Sequence, residues 1–146
     1  MSKSNTFEND LLLLVFNNTD ITLIGDAAGL QNSATAGSLY VSLHTADPGE
    51  AGDQTTNETA YTNYARVAVA RSGAGWTVTG NAVANAALVQ FAQCGVTGAT
   101  LTYFGVGTDS SGAGKLLYSG ALTSSLAVSS GIQPQFAAGD LDITED

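Results

Sequence analysis

A chain of 146 residues suits one domain, and a domain of this length buries roughly 68% of the surface that its unfolded chain exposes, so no disulfide or metal staple is needed. Four Lys and Arg against thirteen Asp and Glu give a formal net charge of -9, which opposes counterion release and excludes nucleic acid and anionic membrane surfaces as direct partners. A single Cys excludes an intrachain disulfide and a zinc knuckle, while 12% charged residues and 17 Gly leave a surface of small side chains that loses little entropy when a neighbouring subunit covers it. In chain order, the first element is a helix over residues 7–16, with Thr6 as cap, Glu8 and Asp10 complementing the dipole, and Asn17-Asn18 as the stop. Its apolar run, residues 11–16, is nearly continuous on all sides and predicts a helix buried all round, against the sheets or a neighbouring chain. The run has no basic flank or small-residue cleavage site and is shorter than the about 20 residues a bilayer requires, so a soluble, unsecreted protein is expected.

Strands then follow at short spacing, separated by Gly, Asn, Asp and Pro. Over residues 38–45, Leu39, Val41 and Leu43 face one way and Tyr40, Ser42 and His44 the other; Ala46-Asp47-Pro48-Gly49 turns the chain. Residues 47–63, with Asp47, Glu50, Asp53 and Glu58, read as a long solvated loop. Alternation resumes over 64–70, with Val67 and Val69 on the core face and Arg66 opposite, and further strands are predicted from Trp76, over 82–91, 100–106, 116–122, 126–128, 132–136 and 141–143. Seven to nine short strands without interleaved helices predict an all-β, antiparallel sandwich, with the jelly roll as the favoured topology. On this reading residues 1–37 form a helix and arm and residues 38–146 the sandwich domain.

No residue pattern predicts a catalytic, cofactor or metal site. His44 is the only histidine, no Gly-x-Ser-x-Gly elbow accompanies it, and a structural hydrogen-bonding role is expected. Gly112-Ala113-Gly114-Lys115 imitates a phosphate loop, but Asp109 stands where the first Gly belongs and Leu116 follows Lys115, so a hairpin turn is predicted. The acids Asp47, Glu50 and Asp53, and Asp140, Asp142, Glu145 and Asp146, lack EF-hand spacing. In the second group alternation points Leu141 and Ile143 inward and the acids to solvent. Asn17-Asn18-Thr19 and Asn57-Glu58-Thr59 match a glycosylation pattern that is idle without secretion.

Several stretches in fixed order carry a family resemblance: Phe7-Glu8-Asn9-Asp10-Leu11-Leu12, Leu39-Tyr40-Val41-Ser42-Leu43-His44-Thr45-Ala46-Asp47-Pro48-Gly49 and Asn63-Tyr64-Ala65-Arg66-Val67-Ala68-Val69. Tyr103-Phe104-Gly105-Val106, Leu117-Tyr118-Ser119-Gly120-Ala121-Leu122 and Phe136-Ala137-Ala138-Gly139-Asp140-Leu141-Asp142-Ile143-Thr144 continue it. With these the chain resembles small structural proteins of tailed-phage virions, variously tail fibre, minor tail or capsid decoration (cement) proteins. It departs from the pattern in the length of residues 21–37 and in Glu145-Asp146. The resemblance implies a non-enzymatic virion component, assembled in the host cytoplasm, homo-oligomeric, and partnered by the major capsid protein or by tail proteins. Without heptads or repeats to build a shaft, the chain is expected on the capsid exterior as a decoration protein, with a tail fibre or host-binding adhesin as the alternative.

Overall fold

The structure, a computed structural model, describes residues 2–25 and 28–145. It is all-β apart from one short helix, with three antiparallel sheets, the class that the strand spacing predicts. The chain divides into two compact units: Met1–Ser38, Ala70–Leu88 and Phe136–Asp146 form one, and Leu39–Val69 with Val89–Gln135 the other.

In the first unit, helix α1 (Asn5–Asn17) begins earlier than its sequence suggests, because Ser4 rather than Thr6 caps it; Ser4 is extended and its Oγ accepts from Phe7 N–H at 3.4 Å. Asn18 ends the helix in the left-handed region, at φ 55°, and Thr19 N–H donates back to Leu13 C=O at 3.1 Å. The helix is not buried all round. Glu8, Leu12 and Phe16, four apart, form one buried stripe, the other apolar residues of the run are half-buried, and Phe7 is exposed. Strands cover one side only, those of a three-stranded sheet in the order β3-β4-β9, formed by β3 (Trp76–Thr79), β4 (Ala82–Asn85) and β9 (Asp142–Thr144). Val78 pairs with Val83, and Val83 with Ile143. Phe16 meets Trp76 edge-on, with ring centroids 4.9 Å apart.

Two polar side chains fasten this unit. Arg71 donates from Nε to Val15 C=O at 2.7 Å, from Nη2 to Leu14 C=O at 2.7 Å and from Nη1 to Ala36 C=O at 3.1 Å, placing a cation on the negative end of α1. Asn85, 1% exposed, donates to Ala87 and Ala137 C=O and accepts from Leu141 N–H. A bend at residues 86–87, just past the last β3–β4 rung from Ala86 N–H to Gly75 C=O, also splits the strand predicted over residues 82–91. Leu141 and Ile143 are buried while Asp140 and Asp142 are exposed, the predicted alternation; Asp146 lies outside the described residues.

The second unit centres on a four-stranded sheet in the order β2-β1-β6-β7, comprising β1 (Ser38–His44), β2 (Val67–Ala70), β6 (Ala99–Gly107) and β7 (Leu116–Val128). A two-stranded sheet joins β5 (Val89–Gln90) to β8 (Gln135–Phe136), shorter than the predicted 132–136 because Ile132 N–H closes a turn onto Ser129 C=O. Leu43 pairs with Phe104 and Val41 with Val106, so the apolar face of β1 meets that of β6. The strands predicted over 116–122 and 126–128 are one strand, in which residues 122–125 lie opposite Thr102 alone as an irregular, multi-residue bulge. Between β6 and β7 the phosphate-loop lookalike is a hairpin turn, closed by Thr108 N–H to Lys115 C=O at 3.1 Å. Among the described residues no helix is long and apolar enough to cross a membrane.

Candidate functional site

Ser42, His44, Gln54, Glu58 and Arg66 of the second unit gather where residues 45–66 fold back over the end of β1. This segment is not the solvated loop that its composition suggests. Gln54, Thr59 and Tyr61 are buried within it, and Thr45 N–H and Thr59 N–H bond the C=O groups of Asn57 and Leu43, so the loop folds back along the end of β1. Gln54, fully buried, donates to Asp109 C=O at 3.3 Å and accepts from Asp109 N–H at 2.9 Å, tying the loop to the β6–β7 turn. Both Gly107 and Gly114 pack against Gln54, where a Cβ would overlap it.

His44 ends β1 at 0% exposure. Its Nε2 lies 2.8 Å from Ser42 Oγ and its Nδ1 2.9 Å from Thr56 C=O. A carbonyl only accepts, so Nδ1 carries the proton and Nε2 accepts from the Ser42 hydroxyl. That tautomer also suits a general base facing a serine nucleophile, but Ser42 too is fully buried, and Gly105 lies so close that a Cβ there would stand 2.6 Å from Ser42 Oγ and 2.7 Å from His44 Nε2. No substrate atom reaches the pair in this conformation. Burial, opposed by the Thr56 hydrogen bond, lowers the imidazole pKa below its usual value. The sequence reading of His44 as a structural hydrogen-bonding residue agrees with this geometry.

Beside His44 lies a network that the sequence does not reveal. Arg66, whose side chain is 2% exposed, forms a bidentate pair with Glu58, Nε to Oε1 and Nη2 to Oε2, both at 2.7 Å. Its Nη1 donates to Asp109 C=O and its Nη2 to Gly112 C=O, each at 2.8 Å. Tyr64 OH donates to Glu58 Oε1 at 2.8 Å and accepts from Leu43 N–H at 3.1 Å. The Glu58 hydrogen bonds raise the Arg66 pKa further, and burial raises that of Tyr64, so the cation and the neutral phenol are held in those forms. Nothing in the eight-residue spacing of Glu58 and Arg66 signals their pairing; it depends on the loop closing.

The remaining acids do not converge. Among the described residues no three His, Cys, Asp or Glu side chains group as metal ligands. Asp53 is occupied by the N–H and Oγ1 of Thr55, at 2.8 and 2.6 Å, which hold its carboxyl below the usual range. Asp47 and Glu50 are exposed on the wall of an open groove of about 610 Å³, whose other wall is residues 116–121 of β7 and which Tyr103 also lines. This groove brings exposed carboxylates, an aromatic ring and strand backbone together.

No curated protein matches the chain. A family match extends over residues 2–144, to the family described as Podophage GP4 fiber I protein gp80. With nearly its whole length matched, the chain belongs to this podophage fibre family, and it is a tailed-phage virion structural protein.

Proposed function

We propose that the chain is a subunit of the fibre apparatus on the virion's tail and that it works by binding neighbouring proteins, not by catalysis. The observation that carries this reading is the match to a fibre protein family over residues 2–144. Support comes from the polar core: His44, Ser42, Gln54, Glu58 and Arg66 all spend their hydrogen bonds on the fold. Low charge and abundant small residues suit permanent contact with other subunits, which we take to be tail proteins and further copies of this chain. The lack of heptads or repeats means that the chain builds no shaft; within a fibre it would form an attachment or terminal piece.

That same lack of a shaft favours the second reading, a decoration protein on the capsid exterior bound to the major capsid protein. We prefer the fibre because the family match covers the chain, whereas the argument from a missing shaft fits an attachment piece equally well. Densitometry of purified virions separates them. A fibre subunit should be present far below the abundance of the capsid protein and vanish when tails are sheared off. Near-parity with the capsid protein, retained on tailless heads, would move the protein to the shell.

A further inference from the structure

We infer that the groove between residues 47–52 and the edge of β7 receives a short extended segment of a different protein chain, carrying Lys or Arg at alternate positions, which adds to the sheet as a fifth strand beside β7. β7 is the outermost strand of the order β2-β1-β6-β7, and every residue of its 116–121 stretch lines the groove. Consecutive residues of a strand point their side chains to alternate faces, so a wall made of six in a row presents the strand's hydrogen-bonding edge.

Folded proteins guard such edges with charges, prolines or bulges. Residues 116–128 contain no charged residue and no proline. Bulges are the only such device here: the register shifts between Val106 and Gly107 and again between Leu101 and Tyr103, leaving residues 118–121 as the regular run between them. The bulges therefore limit an added strand to about the length of the groove and oppose long sheet-to-sheet pairing of two copies.

Charge selects the occupant. Alternate side chains of an added strand would lie on the face that Tyr103 and residues 47–52 enclose. There Asp47 and Glu50 are exposed, and neither belongs to an ion pair among the described residues. A strand with basic residues at those alternate positions would meet two carboxylates. A second copy supplies no such strand: of its four basic residues, Arg66 and Arg71 are consumed internally, Lys3 pairs with Glu145, and Lys115 stands alone beside Leu116. The inference holds for a fibre or a shell protein alike.

The test uses the full chain and a capped, fluorescently labelled hexapeptide of alternating valine and lysine, with two control peptides, one with glutamate for lysine and one N-methylated on alternate residues. Anisotropy should show binding of the lysine peptide only, falling steeply as salt rises. Hydrogen exchange should slow in residues 116–121 when that peptide is present. The Asp47→Asn, Glu50→Gln double variant, which keeps the side-chain oxygens, should weaken binding about fivefold to tenfold. Equal binding of the glutamate or N-methylated peptide would overturn the proposal. Slowed exchange elsewhere in the chain, or none at millimolar peptide, would do the same. Protection of 116–121 that grows with protein concentration in the absence of peptide would give the edge to a second copy instead.

Discussion

At the scale of single residues, His44 and Gly105 carry the clearest consequences. Burial keeps the His44 imidazole neutral more firmly than in the unfolded chain, where its pKa is ordinary. The unfolded state therefore binds the proton more readily. Stability from this residue is complete above about pH 6.5 and declines as the pH falls below that value. Urea midpoints measured from about pH 8 down to pH 5.5 should drop over that window, and the His44 ring protons should still report a neutral imidazole at pH 6.5; half-protonation there or higher would contradict the burial argument. Gly105→Ala forces a Cβ against Ser42 Oγ, His44 Nε2 and Leu116 Cδ1, all within 2.9 Å. We expect a loss of about 1–3 kcal/mol in chemical denaturation, typical of overpacking, and a loss below about 0.5 kcal/mol would show that the sheet yields there. The solitary status of His44 and its hydrogen-bonding role were legible in the sequence. Its partners were not, because Thr56 arrives through a loop whose composition reads as solvated.

Among the elements, α1 shows how one stripe can be legible while its covering is not. The sequence marks a strongly apolar helix, yet Phe16 and Leu12 are buried and residues 13–15 only half so, because β3 and β4 cover a single side. Phe16→Ala removes the edge contact with Trp76 and should cost about 3–5 kcal/mol. Removal of residues 1–16 would uncover Trp76, which is 0% exposed and meets Phe16 edge-on. Arg71→Met leaves the carbonyls of Leu14, Val15 and Ala36 without their donor and should cost about 2–4 kcal/mol. Arg71→Lys should recover less than half of that, since one ammonium cannot replace a planar fork reaching three carbonyls. Equal stability of the Lys variant and the parent would reduce the role of Arg71 to its charge alone.

For the molecule as a whole, Cys94 reports on cooperativity. It is 3% exposed, with its thiol within 3.4 Å of Thr97 C=O. Labelling by a thiol reagent should be slowed by about a thousandfold or more relative to the chain in urea, if opening there requires unfolding on the scale of ordinary domain stability; rapid labelling would place Cys94 in a locally opening segment. What the sequence determined by itself was the class and the broad order of parts: a helix, then seven to nine strands punctuated by turns, because side-chain alternation and Gly, Asn and Pro act over a few residues at a time. It also carried the resemblance to virion structural proteins, since motif order is a property of the chain. Which side of α1 is covered, how Arg66 finds Glu58, why β7 runs through the gap at residues 122–125, and where the groove lies were decided only in three dimensions. Each of these joins residues whose nearness is created by folding, and a hydrogen bond or packing contact between them depends on distance in space, for which separation along the chain gives no measure.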